Sequence, residues 1–147
     1  MPRTRAGIDL GYLPAGEHAA LWSEIVDRFG WNPWRRSLLD GLDEAASLLG
    51  EAGCARVWLN GSFVTAKEVP EDFDAVWDTD GVDQDSLDPI FFQLDDGRAA
   101  QKRRFGGELF PNWLNRSSGS RFSEFFQQDR YGYAKGIVVF DPREVNA

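Results

Sequence analysis

The sequence has few of the residues that most often bind zinc or act as catalytic nucleophiles. Its 147 residues include one cysteine, Cys54, and one histidine, His18. A single cysteine cannot form an internal disulfide, and one cysteine with one histidine cannot complete a zinc site. Serine–histidine and cysteine–histidine triads are nearly excluded, since we assign His18 to a surface or capping position. We therefore expect any bound metal ion to have oxygen ligands.

Long apolar runs are also missing. No stretch approaches the roughly 18 apolar residues that span a membrane. The first residues carry positive charge, but no apolar segment follows them, which argues against a secretory signal. We therefore expect a cytoplasmic protein with no membrane partner. Hydrophobic residues make up 42% of the chain, and its length suits one domain, so we expect a single folded domain over residues 1–147.

Basic residues are scarce over one long segment. The formal net charge is −8, which opposes non-specific binding to nucleic acid. Residues 68–96 contain eleven acidic residues and no basic one. A basic cluster follows, consisting of Arg98, Lys102, Arg103 and Arg104. This cluster could hold a triphosphate or an RNA backbone, or it could be a solvated helix face.

The order of predicted elements indicates an α+β fold, an α/β two-layer arrangement. Residues 1–13 read as an irregular arm, and a helix from Asn32-Pro33 to Gly50 or Gly53 should bury Trp34. Ser86 is the expected cap of the helix at 86–94. The remaining predictions are a helix at 17–29, strands at 56–59, 72–77, 108–110 and 137–140, a basic helical turn at 98–105 and a short helix at 122–126. We expect a mixed β-sheet with helices packed on one side.

One segment combines residues with a plausible joint chemistry. Gly61-Ser62 follows a predicted strand, where glycine allows close approach of a phosphate and serine adds a hydroxyl donor. Asp72 and Asp74 lie at positions i and i+2 of the next predicted strand, so both side chains face the same side. Two carboxylates without a basic partner repel each other unless a cation lies between them. Mg²⁺ suits such a site, because it prefers oxygen ligands and retains substrate phosphates.

At these residues the sequence resembles the DNA polymerase β-like nucleotidyltransferase superfamily, whose small members carry a Gly-Ser turn shortly before Asp-x-Asp. The run from Trp58 to Trp77 also resembles a short bacterial and phage branch of that superfamily, as do residues 125–127 and 135–138. The resemblance implies a nucleotidyltransferase-like domain, two Mg²⁺ ions and transfer of a nucleoside monophosphate from an NTP such as ATP. It also implies a third carboxylate on a neighbouring strand, for which we prefer Glu108 over Asp141.

The resemblance implies roles for individual residues and leaves two functions open. Asp72, Asp74 and Glu108 would be catalytic and metal-binding, while Gly61, Ser62 and Lys67 would bind the nucleotide. The acceptor would be an RNA, such as a tRNA, or a protein, and a partner encoded by a neighbouring gene is expected by analogy with toxin–antitoxin and phage-defence systems. The alternative is a non-catalytic module of the same fold that acts as a binding protein or antitoxin.

Overall fold

The computed structural model describes residues 13–113 and 136–145, together with the backbone of two short N-terminal strands. These strands, β1 (Thr4–Arg5) and β2 (Ile8–Asp9), pair antiparallel. The predicted irregular arm over residues 1–13 therefore contains a short antiparallel strand pair. The helix predicted around residues 122–126 lies outside the described residues.

Over the described residues the architecture is a five-stranded mixed sheet with three α-helices, which confirms the predicted α+β class. The strands are β3 (Gly16–Ala19), β4 (Val57–Asn60), β5 (Phe73–Trp77), β6 (Gly107–Pro111) and β7 (Gly136–Phe140). The helices are α1 (Trp22–Phe29), α2 (Pro33–Glu51) and α3 (Asp95–Phe105). The strand order is β3-β7-β4-β5-β6, in which β3/β7 and β5/β6 are parallel and the other two pairs antiparallel. No helix of the described residues is both long and apolar enough to cross a membrane.

The two faces of the sheet bury different sets of side chains. Phe73, Ala75 and Trp77 of β5 belong to the large core that includes residues of all three helices. Val76 points the other way, into a small cluster with Trp58, Phe110 and Ile137. This alternation along β5 confirms the predicted period of two. The face opposite the main core is therefore the one that carries Asp74.

The first predicted helix is partly wrong. Residues 17–19, assigned to that helix, instead form β3, which pairs in parallel with β7. The helix begins at Trp22, and the backbone N–H of Leu21 donates to the Glu24 carboxylate at 2.8 Å. Pairing with a strand more than 100 residues away decides this segment, and local periodicity does not report it.

The predicted start of α2 is confirmed, but one buried position is not. Asn32 caps the helix by accepting a hydrogen bond from the backbone N–H of Arg35 at 2.7 Å. Trp34 is 45% exposed, whereas Arg35 is fully buried. Within the acidic segment, Asp88 rather than Ser86 caps a short 3₁₀ helix over Pro89–Phe92, because its carboxylate accepts from the N–H of Ile90.

Candidate active site

The turn after β4 lies directly against the carboxylate of Asp74. Gly61 adopts a φ of +79°, which L-residues with side chains rarely adopt. A β-carbon at this position would lie 2.4 Å from Oδ2 of Asp74. Both the backbone conformation and the contact therefore require glycine. The predicted proximity of the Gly-Ser turn to the carboxylate strand is confirmed.

Glu108 is brought beside Asp74 by the pairing of β5 with β6. The two strands are parallel, and Asp74 is the register partner of Glu108. Neighbouring strands lie about 4.8 Å apart, and register partners point to the same face. The Glu108 side chain is only 18% exposed. A glutamate and an aspartate thus lie side by side on the face opposite the main core.

Asp141, the rival third carboxylate, lies at the other end of the sheet. Asn60 pairs with Asp74 at one end of β4, and Val57 pairs with Phe140 at the other. Asp141 follows Phe140, so its chain position is at the end of β4 remote from Gly61. Its carboxylate binds Arg143 at 2.7 Å, and this contact lowers the pKa of Asp141. The structure therefore groups Glu108, not Asp141, with Asp74.

Asp72 lies one residue before β5 and is partly buried. Loss of solvent raises its pKa, and the negative charge of Glu108 raises it further. Lys102 and Lys67 act in the opposite direction. The charge of Glu108 therefore disfavours ionisation of the Asp72 carboxyl group.

Lys102 is the member of the basic cluster that contacts a site carboxylate. Its Nζ lies 3.0 Å from Oε1 of Glu108. Arg104 instead binds Glu44 and Asp88, at 2.8 and 2.7 Å. The guanidinium of Arg98 lies over the ring of Phe110, 3.8 Å from its centre. The cluster is thus three different interactions rather than one phosphate-binding face.

Ser62 and Lys67 flank the carboxylates from the loop between β4 and β5. Ser62 begins a 3₁₀ turn, and its carbonyl oxygen accepts from both the N–H and the hydroxyl of Thr65. Lys67 is exposed, and its charge reaches Asp72. Both residues therefore belong to the loop beside the candidate site, and Lys67 lies on the solvent side of that loop.

Helix α2 and its cap fix this loop through side chains to which the sequence analysis gave no role at the site. Asn32 donates to the carbonyl of Glu68 at 2.7 Å, and the Trp34 indole donates to Pro70. Arg35 donates to the carbonyls of Phe63 and Thr65. The buried guanidinium of Arg35 also lies 4.6 Å from the centre of the Phe63 ring. Arg35 lies three and four residues before the buried Leu38 and Leu39 of α2. This helical spacing was the sequence signal that could have indicated that Arg35 is buried.

Gln101 fixes β6 in a similar way. It is fully buried, and its amide nitrogen donates to the carbonyl of Ile90 at 3.1 Å. Its amide oxygen accepts from the backbone N–H of Leu109 at 2.8 Å. Leu109 follows Glu108 directly, so this side chain of α3 sets the position of the third carboxylate.

Asn60 is a further residue that the sequence analysis gave no role. It is fully buried at the end of β4, opposite Asp74. Within the described residues its Oδ1 has no hydrogen-bond partner. A buried amide oxygen without a donor is costly in a dry protein and is an acceptor for a ligand. A polar residue at the end of an apolar strand, just before glycine, was the signal.

The donor chemistry fits a hard cation, although the ligands are not gathered into a finished metal site. Three carboxylates and one amide oxygen are the ligand types that Mg²⁺ prefers. Over the described ranges, no three histidine, cysteine, aspartate or glutamate side chains are close enough together to hold a metal ion. Glu108 is instead paired with Lys102. A cation would therefore have to replace the ammonium group at Glu108.

Comparison with known proteins identifies a family but no activity. No curated protein and no solved structure matches the chain. A family model, described as a family of unknown function (DUF6932), matches residues 7–141. The match includes Gly61 and all three carboxylates of the candidate site. The chain therefore belongs to the DUF6932 family.

Proposed function

We propose that this protein is a Mg²⁺-dependent nucleotidyltransferase of the DNA polymerase β-like superfamily. It would transfer a nucleoside monophosphate from an NTP to an RNA, such as a tRNA, or to a protein. One observation carries the proposal: Gly61 packs against the Asp74 carboxylate while Glu108 lies across from it in register. The Gly-Ser turn and two carboxylates are therefore neighbours, which supports the proposal of a phosphate and a cation at this position.

The residues have distinct roles in this proposal. Asp72, Asp74 and Glu108 would hold the Mg²⁺ ions, two in number if the superfamily pattern holds. Bound Mg²⁺ would supply neutralisation of triphosphate charge and activation of the attacking hydroxyl. The missing side chain of Gly61 leaves room for the Asp74 carboxylate beside the turn, while Gly61 and Ser62 would contact the nucleotide, Ser62 through its hydroxyl donor.

The proposed reaction needs no covalent enzyme intermediate. An acceptor hydroxyl oxygen attacks the α-phosphorus and its proton passes to solvent, while the bond to the bridging oxygen of the β-phosphate breaks and pyrophosphate leaves. Lys67, exposed on the solvent side of Asp72, is suited to hold the triphosphate tail. In this reaction the protein's role is to hold charged groups in position around the substrate. The hydrogen bonds that fix the site loop to α2 are consistent with that role.

The direct test is transfer of label from each α-³²P-labelled NTP to total cellular RNA or protein in the presence of Mg²⁺. Wild type should label one acceptor class, and Asp74→Asn should abolish labelling without lowering the melting temperature. Asp141→Asn is the matched control, since it removes a carboxylate at the other end of the sheet. Equal labelling by wild type and Asp74→Asn would refute the assignment.

A second candidate function is a non-catalytic module that binds a nucleotide or a partner protein. The ion pair between Lys102 and Glu108 favours it, because a lysine already supplies positive charge at the third carboxylate. Such a module would fit the antitoxin or phage-defence roles expected by analogy, in the cytoplasm. Calorimetry separates the two: binding of Mg²⁺–NTP with label transfer supports the enzyme, whereas binding without transfer supports the module.

A further inference from the structure

The turn between α3 and β6 places a lysine above the third carboxylate. The helix ends at Phe105, and Gly106 follows in the left-handed conformation with a φ of +83°. The N–H of Gly106 donates to the carbonyl of Lys102 at 2.9 Å. Because the chain then reverses at once into β6, Glu108 lies next to the last turn of the helix. The tight turn at Gly106 therefore brings Lys102 and Glu108 close together.

This one ammonium group is subject to the charges of all three site carboxylates. Its closest partner is Glu108, at 3.0 Å. The hydrogen bond and charge of Glu108, followed by the charges of Asp72 and Asp74, raise the pKa of Lys102. The Lys102 side chain is still 45% exposed, so it is free to move on its flexible stem.

We propose that Lys102 is an internal counter-ion of the candidate active site, which neutralises Glu108 until a divalent cation binds and then transfers to the triphosphate. The inference rests on the proposed function and adds a residue to its machinery. Carboxylates that share a site repel one another unless positive charge is present. Within the part of the chain that the structure describes, Lys102 supplies that charge to Glu108. A cation at Glu108 replaces it, and the released ammonium offers three donors to phosphate oxygens.

The consequence is coupling between metal ion and nucleotide. Without nucleotide, a divalent cation must displace Lys102 from Glu108, which weakens its binding. With nucleotide present, the displaced lysine gains phosphate oxygens as partners, which offsets that loss. By linkage, the nucleotide must then strengthen cation binding by the same factor that the cation strengthens nucleotide binding.

The test is Lys102→Gln in the full-length protein, with Mn²⁺ as the spectroscopic probe in place of Mg²⁺. Removal of the competing charge should tighten binding of Mn²⁺ alone about 3- to 10-fold, and should weaken binding of a non-hydrolysable ATP analogue in Mn²⁺ by about 10-fold. Lys102→Arg keeps the charge and should stay within about 2-fold of wild type for Mn²⁺. Arg103→Gln is the matched control, since Arg103 is an exposed cation on the same helix.

The outcomes separate this inference from the proposed function. If Lys102→Gln binds Mn²⁺ no more tightly than wild type, while Asp74→Asn abolishes binding, the role of Lys102 is refuted and the metal site stands. If Arg103→Gln tightens Mn²⁺ binding as much as Lys102→Gln, the effect is general charge rather than a local counter-ion, which also refutes the inference. If neither wild type nor Lys102→Gln binds Mn²⁺, with or without the ATP analogue, both proposals fail.

Discussion

Two irregular loops of this protein carry acidic residues, and they are held in different ways. The site loop, residues 61–72, is bound by side chains of α2, which donate to four of its backbone carbonyls. The acidic loop, residues 78–88, mostly satisfies itself: the carboxylates of Asp78 and Asp83 accept from backbone N–H groups two residues on. Its carboxylates are therefore used as turn caps.

The contrast shows why the density of acidic residues is a poor guide to a site. The acidic loop has more carboxylates than the site, yet local backbone hydrogen bonds account for the orientation of several of them. The site carboxylates are positioned from outside, by strand register and by α2 and α3. The negative charge of Glu108 raises the pKa of Asp72, so the interaction between these two carboxylates is unfavourable and other contacts of the fold must offset it.

The strongest test of this contrast uses two glycines with the same φ of +79°, one in each loop. Gly61→Ala adds a methyl group 2.4 Å from the Asp74 carboxylate and should reduce nucleotidyl transfer at least about 100-fold. At Gly81 the nearest atom is a carbonyl oxygen 3.7 Å away. Gly81→Ala should therefore cost about 1 kcal/mol in unfolding free energy and leave transfer unchanged. Equal loss of transfer in both variants would contradict the prediction, with transfer assays and denaturant unfolding as the measurements.

The next test compares the arginines attached to the two loops. Arg35→Met leaves the carbonyls of Phe63 and Thr65 without their donor and should lower the unfolding free energy by about 2–4 kcal/mol. Arg56 is 58% exposed and lies 3.7 Å from Asp78 of the acidic loop. Arg56→Met should therefore cost less than about 0.5 kcal/mol. Urea denaturation measures both, and similar losses would show that the site loop is not specially held.

A smaller effect is expected from the carboxylate of Asp72. Its raised pKa means that the folded state holds the proton more tightly than the unfolded chain, so this contribution is present at low pH and is lost as pH rises through the folded pKa. At pH 7 without divalent cations, Asp72→Asn should raise the melting temperature by about 1–3 °C. The gain should shrink below about pH 4.

The control for this charge effect is Asp80→Asn, an exposed position in the acidic loop, which should change the melting temperature by less than about 1 °C. Addition of Mg²⁺ should stabilise wild type more than Asp72→Asn. A melting temperature that falls in Asp72→Asn would show that the charge of Asp72 is already well compensated.

The smallest change tests how firmly the acidic loop is seated. Cys54 is buried beside its first residue, and its thiol donates to the carbonyls of Arg56 and Asp78 at 3.3 and 3.4 Å. Burial raises the pKa of Cys54 to about 11. A thiol reagent at pH 8 should therefore react about 100-fold more slowly with native than with unfolded protein. Rapid native labelling would mean that the acidic loop opens readily.

Local rules in the sequence predicted the elements that carry the site. Asn32-Pro33 gave the start of α2, and the alternation from Phe73 to Trp77 gave the faces of β5, because a cap and a period of two are properties of a few adjacent residues. The strand at Gly16–Ala19 was missed, since it exists through pairing with a distant strand. Glu108 was already preferred over Asp141 from the sequence, and the register of β5 and β6 puts it beside Asp74.

Two polar residues show a different reason for failure. Arg35 and Asn60 are both fully buried, whereas residues of these types are exposed in most proteins, so composition assigns them to the surface. Arg35 serves the backbone of the site loop, and Asn60 leaves an oxygen beside Asp74. In the structure, these two buried polar residues indicate the position of the candidate site more clearly than the distribution of charged residues along the sequence does.

Gln101 has a consequence for how this architecture can change over time. Because an amide on α3 anchors β6 through Leu109, the separation of the strands does not depend on the acids they display. A neutral residue in place of Asp74 or Glu108 should thus leave a folded chain. Under the proposed function, one substitution at either acid would remove transfer and leave the surface that the fold presents to other molecules.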